Sequence, residues 1–185
     1  MKKTRKKMEV SLFLKNSSEK YQLAFRAKER YMPKDTLAKG IEDFDSAICI
    51  LQEDILVIDG KAYVVKMKEN KRGFSFINTN DYPKEFSNAL KDKWVPYISI
   101  YGDSLHINYV IEKEFYTTLL REYPAIALSP KTANHVILYN TNSSDTNDLA
   151  SLLAGAKIPG EAVITGFKGG FPIPLKEKDL EMYLV

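Results

Sequence analysis

The run Ile55-Leu56-Val57-Ile58-Asp59-Gly60-Lys61-Ala62-Tyr63-Val64-Val65-Lys66 decides how the chain is read. Four consecutive apolar residues suit a buried strand. Asp59-Gly60 follows at once, and such a pair is a strong hairpin signal because both turn positions need positive φ. The chain returns as a strand over Ala62–Lys68, and Gly73–Asn78 reads as a third strand after the polar turn Glu69–Arg72.

Working upstream, Met8, Val10, Leu12 and Leu14 recur at every second position, as do Tyr21, Leu23, Phe25 and Ala27 after the turn-forming Asn16-Ser17-Ser18. Period two predicts an opening hairpin. Pro33-Lys34-Asp35-Thr36 starts a short helix whose Leu37, Ile41 and Phe44 share a face. Gly40 weakens that helix by about 1 kcal/mol relative to Ala. Ala47–Leu51 is a further short apolar run of buried-strand type.

Downstream, Pro83 suits a helix first turn, with Phe86, Ala89, Leu90 and Trp94 on one apolar face. Tyr97–Tyr101 and Leu105–Ile111 form a hairpin around Gly102-Asp103. Phe115, Tyr116, Leu119, Leu120 and Tyr123 mark an amphipathic helix ended by Pro124. Ala125–Leu128 and Val136–Tyr139 read as strands separated by Ser129-Pro130. A helix capped at about Asp145 runs through Leu149, Leu152 and Leu153 and stops at Gly155. Ala162–Phe167 and Leu180–Val185 are expected closing strands. Hairpins with about four short helices predict an α+β fold with a mostly antiparallel sheet. The expected organisation is a flexible basic arm (1–7) and one domain (8–185), with sub-lobes at 8–80 and 81–185.

Composition narrows the classes. At 185 residues with 44% hydrophobic and 28% charged residues, the chain is of ordinary globular type. Its one cysteine, Cys49, excludes an internal disulfide and points to a reducing compartment, so a cytoplasmic location is expected. No apolar run reaches the length of a membrane span, and polar Glu9, Ser11 and Lys15 break any signal-peptide core.

Charge is unevenly spread. Five of the 27 basic residues (Lys2, Lys3, Arg5, Lys6, Lys7) open the chain, which leaves 22 against 24 acids, a balance of −2. Residues 41–60 hold Glu42, Asp43, Asp45, Glu53, Asp54 and Asp59 without a cation, and Lys61, Lys66, Lys68, Lys71 and Arg72 follow. Such segregation pairs across strands or offers a bipolar surface to a partner.

Candidate chemistry is sparse. Cys49 lies in an apolar run and reads as a core thiol. His106 alternates against Leu105, Ile107 and Tyr109 and should face away from the apolar side; His135, after Asn134, is likewise expected at the surface or as a cap. A Glu-x-Lys nuclease motif fails because Val64 and Lys66 stand where its acid is needed. A phosphate loop fails at Glu161-Ala162, where lysine and a hydroxyl belong. Gly166-Phe167-Lys168-Gly169-Gly170-Phe171 is an anion nest or a turn, and Pro172 and Pro174 favour the turn. Asn140-Thr141-Asn142 with Asp145 is a capping turn, not a calcium loop. Neither a metal nor a cofactor is expected.

The sharpest local pattern is Val65-Lys66 followed by Arg72-Gly73-Phe74-Ser75-Phe76-Ile77. It resembles the first ribonucleoprotein motif of RNA-binding sheets, and Val65-Lys66 resembles a strand pair of cold-shock domains. It departs from cold-shock proteins at Met67 and Lys68, where that family has aromatics, and it covers only residues 65–77. The resemblance implies that Phe74 and Phe76 stack bases while Lys66, Lys68, Lys71 and Arg72 collect phosphates.

Three functions follow in order. The first is a non-enzymatic binding protein of inhibitor, immunity or adaptor type acting through protein–protein contacts, supported by the segregated charge and 11 tyrosines. The second is a single-stranded nucleic-acid-binding module using the 62–77 hairpin and the basic arm. The third is an enzyme with a site assembled from His106, His135 and the acids of 41–60.

Overall fold

The Asp59-Gly60 turn forms as expected, with φ of 47° and 78°. In the computed structural model it joins β3 (Ile55–Ile58) to β4 (Lys61–Met67), antiparallel with Ile58 opposite Lys61 and Ile55 opposite Val64. The structure describes residues 7–31, 53–67, 74–128 and 134–183. The expected helix at 33–44, the strand Ala47–Leu51 with Cys49, and the Ser129-Pro130 connection lie outside them. So do arm residues 1–6 and Glu42, Asp43 and Asp45.

The chain divides into two compact units, Met1–Lys91 and Asp92–Val185. The first carries an antiparallel sheet in the order β2-β1-β3-β4-β5, with β1 at Lys7–Lys15, β2 at Tyr21–Tyr31 and β5 at Phe74–Asn78. Two register shifts interrupt the β1–β2 ladder, at Met8/Val10 and Leu12/Phe13, so one strict alternation does not run its whole length. Helix α1 (Lys84–Lys91) follows Pro83 and buries Phe86 and Ala89, while Leu90 stays 40% exposed. Phe86 is fully enclosed, with its ring edge-on to Phe13, Tyr21 and Tyr82 at centroid distances of 5.3, 5.4 and 4.9 Å. Each such pair adds about 0.5–1.5 kcal/mol beyond area burial. Trp94 departs from expectation: it opens a strand, because the helix ends at Lys91 and the chain extends through Pro96.

The second unit holds a sheet in the order β7-β6-β10-β9-β8, with β11 also paired to β10. Its strands are β6 (Trp94–Tyr101), β7 (Ser104–Ile111), β8 (Ala125–Leu128), β9 (His135–Tyr139), β10 (Ala162–Lys168) and β11 (Phe171–Ile173). Gly169 and Gly170, at φ of 61° and 86°, make the glycine-rich segment a β10–β11 turn. Helix α2 spans 112–122 and widens to a π turn over Phe115–Leu119. It packs Phe115 and Leu119 on Val95, but Tyr116 is half exposed. Helix α3 (Asp148–Ala154) ends at Gly155 in the left-handed region, as expected.

Register assigns the two faces of this sheet. Ile98, Ile137, Ala162 and Ile164 lie on one side, under Ala150 of α3, Ile158, Leu175 and Leu180. Val136, Leu138 and Val163 lie on the other, against Leu120 and Tyr123. The two sheets and their helices form an α+β fold built from hairpins. No helix among the described residues is long and apolar enough to cross a membrane.

Two further expectations are corrected. The α3 cap is Asn147, whose side chain accepts the Ala150 N–H; Asp145 lies two residues before it. Glu177–Tyr183 is a 3-10 helix, not a closing strand, with Leu184 and Val185 outside the described residues. Its start is fixed locally, because the Asp179 carboxylate accepts the Lys176 N–H and so competes with extended pairing.

Candidate functional site

Three of the residues singled out for nucleic-acid contact, Lys66, Phe74 and Phe76, lie on the paired strands β4 and β5. β4 and β5 pair with Val65 opposite Phe76, Lys66 opposite Ser75 and Met67 opposite Phe74. Lys66 is exposed, while Lys68, Lys71 and Arg72 lie outside the described residues.

The described acids of the enzyme reading, Glu53, Asp54 and Asp59, hold structure instead. Asp54 is 1% exposed, and its carboxylate accepts the Lys15 N–H at 2.8 Å. Asp59 accepts the Glu9 N–H at 3.0 Å, which ties the hairpin turn to β1. Glu53 pairs with the Lys15 ammonium at 2.7 Å. That hydrogen bond holds the Glu53 carboxyl below its ordinary value and the Lys15 ammonium above its own.

His106 and His135 do not meet. His106 sits opposite Ser99 and Ser99 opposite Val163, on the Leu138 side of the sheet; His135 lies on the Ile137 side, with two strands between theirs. His106 is exposed as expected. His135 is not at the surface: it is 5% exposed. It occupies an inner strand, and its Nδ1 lies 2.7 Å from the Tyr183 hydroxyl and its Nε2 3.7 Å from the Asp179 carboxylate. The C-terminal 3-10 helix, unforeseen from sequence, covers it.

A different feature of the second unit stands out. A depression of about 1020 Å³ opens beside the tip of the β6–β7 hairpin. Its walls are Tyr101 to Asp103, the loop from Asn140 to Asn147, the first turns of α3, and Gly160-Glu161 before β10. Asn147 holds these pieces together. Its Nδ2 donates to the Ile100 and Gly160 carbonyls, each at 3.1 Å, while its Oδ1 caps α3. Gly160, at φ 66°, comes so close to the loop that a Cβ would stand 2.7 Å from the Ser143 Cβ. The Gly160 N–H donates to the Asp145 carbonyl at 2.7 Å.

The lining chemistry is polarised. Asp103, Asp145, Asp148 and Glu161 contribute carboxylates, and none of the described lining residues is Lys, Arg, His or Cys. Tyr101 and Leu152 also line it and are 73% and 75% exposed, among the largest values for big apolar side chains here. Nearby, the Tyr123 hydroxyl donates to Glu161 at 3.4 Å. Burial first, and then the Glu161 charge, push that phenol up to about 12. The described residues contain no group of three or more His, Cys, Asp or Glu placed to hold a metal ion, so the carboxylates are spread around the rim. An open depression with two exposed anchors and a one-signed rim suits a macromolecular contact better than an enclosed small-molecule pocket.

Sequence reading missed this site because its residues come from separate segments and none carries a motif. The available hint was the polar loop Asn140–Asn147 beside a leucine-rich helix. No family model, curated protein or solved structure matches the chain.

Proposed function

We propose that this chain is a non-enzymatic binding protein of inhibitor, immunity or adaptor type, acting in the cytoplasm through protein–protein contacts. The supporting observation is the depression of the second unit, where Tyr101 and Leu152 stand exposed among four carboxylates. Large apolar side chains left in solvent next to a concave surface serve as anchors for a partner. Carboxylates at the rim select a partner of positive surface charge and speed encounter.

The test places a photo-crosslinking residue at position 152 in cells, identifies the crosslinked protein, and measures its affinity after purification. Tyr101→Ser/Leu152→Ser should weaken that affinity by about 30- to 800-fold, from ~1–2 kcal/mol per anchor. No crosslinked protein, or an affinity changed less than about twofold, refutes the reading.

A second reading, single-stranded nucleic-acid binding, draws on the antiparallel pairing of β4 with β5 and the exposed Lys66. Fluorescence anisotropy with single-stranded RNA tests it. Phe74→Ala/Phe76→Ala should weaken binding sharply in a folded protein, and an unchanged titration or no binding by the wild type removes it.

A further inference from the structure

We propose that the depression of the second unit docks the basic N-terminal arm of a second copy of this chain. The inference rests on the reading of the depression as a contact surface and names an occupant for it.

Three observations converge on that occupant. First, the rim carries four carboxylates, Asp103, Asp145, Asp148 and Glu161, and no cation is among the described residues that line it. Second, Tyr101 presents a largely exposed ring beside those carboxylates. An aromatic face attracts ammonium and guanidinium groups independently of any carboxylate, so ring and rim favour the same ligand chemistry. Third, the chain itself carries a segment of that chemistry: Lys2, Lys3, Arg5 and Lys6, without an acid among them, just before Lys7 opens β1. These four cations leave 23 basic against 24 acidic residues in the rest of the chain, a balance of −1, and unlike the basic stretch from Lys61 to Arg72, which contains Glu69, the arm holds no acid.

The dimensions agree. A depression of about 1020 Å³ is on the order of 10 Å across, which accommodates three or four extended residues at ~3.3 Å each. Lys2 to Arg5 is such a length. The long stems of these side chains would lie on Tyr101 and Leu152 while their charged ends reach the rim. Reciprocal exchange of arms between two copies closes a dimer; one-way exchange builds open chains. A cationic segment of a foreign partner would compete for the same surface.

Sedimentation velocity on the full chain at low and high salt tests this. The wild type should gain mass with concentration at low salt and return to monomer at high salt, because exposed pairs are screened there. Neutralising the arm (Lys2→Gln, Lys3→Gln, Arg5→Gln, Lys6→Gln) or the rim (Asp145→Asn, Asp148→Asn) should each weaken association about tenfold or more. The decisive arm mixes an arm-reversed variant (the same four residues to Glu) with a rim-reversed one (Asp145→Lys, Asp148→Lys). Each alone should stay monomeric, and the mixture should associate. Circular dichroism confirms that each variant is folded.

A wild type that is monomeric at all concentrations in low salt overturns the proposal. So does association that the arm and rim variants share, or a mixture that fails to associate. If the wild type is monomeric while Tyr101→Ser/Leu152→Ser still loses its crosslinked partner, only the arm docking falls and the contact surface stands.

Discussion

Replacing Asn147 by Asp separates two roles of one side chain. In the wild type, Oδ1 accepts the Ala150 N–H at 3.0 Å, and Nδ2 donates to the Ile100 and Gly160 carbonyls at 3.1 Å each. Aspartate keeps the acceptor and therefore the helix cap, which contributes about 1 kcal/mol. It replaces the donor with a second oxygen facing two carbonyls. Two hydrogen bonds of ~1 kcal/mol each are lost, and a part-buried carboxylate is left against two acceptors at a further cost of ~1 kcal/mol or more. The expected loss is about 3 kcal/mol. Asn147→Ser keeps a cap and adds no charge, so it should lose about 2 kcal/mol, and Asn147→Ala about 3. Urea unfolding is the assay. With m near 2 kcal/mol/M and unchanged, the Asp variant's midpoint should fall by about 1.5 M. If Asp and Ser both lie within about 0.5 kcal/mol of wild type while Ala loses ~1, the side chain is only a cap. The claim that it ties β6, the loop and α3 into one wall would then be wrong.

Other outcomes follow from the same geometry. Gly160→Ala should cost clearly more than Gly102→Ala in urea unfolding. Both glycines have positive φ, at a strain of ~1–2 kcal/mol for alanine, but only at Gly160 does the new Cβ meet another atom, at 2.7 Å. The Glu53 carboxyl should titrate below its ordinary 4.5 in an NMR titration, and Lys15→Met should move it back up, because the Lys15 hydrogen bond is the main cause of its shift. Its folded value is depressed, so its stabilisation is present above 4.5 and lost as pH falls through the lower value. The paired Lys15, raised above 10.5, loses its share only in strong base. His135→Phe removes the imidazole that bonds the Tyr183 hydroxyl and should cost ~1–3 kcal/mol. It should also speed hydrogen exchange at residues 177–183 more than elsewhere, and uniform exchange would show that the contact does not fasten that helix.

Much of the fold is written locally. The Asp59-Gly60 turn needs no distant contact, because positive φ at both positions is a property of the turn itself. Gly155 ends α3 for a similar reason. The alternation in β6 and β7 follows from the pleat, and Gly102-Asp103 sets their pairing. These elements are enough to read an antiparallel α+β chain without coordinates.

What failed from sequence failed where a residue's surroundings come from elsewhere in the chain. Period and turn chemistry place His135 at the start of a strand, but they do not reveal that a 3-10 helix more than forty residues later covers it. Asp145 and Asn147 are equally good caps on composition; Asn147 holds the position because an amide can donate to the Ile100 and Gly160 carbonyls while accepting from Ala150, and a carboxylate cannot. The sequence places Leu152 on the helix with Leu149 and Leu153 but does not say which of them is exposed; it is 75% exposed, because the sheet lies under Ala150 and Leu152 lines the depression. Local conformational preference, carried by the sequence alone, determined most of the described strands, turns and helices, with Trp94 and Glu177–Tyr183 the exceptions. Burial, hydrogen-bond partners and the gathering of Tyr101, Asp145, Leu152 and Glu161 around one depression depend on non-local contacts, and only the tertiary structure decided them.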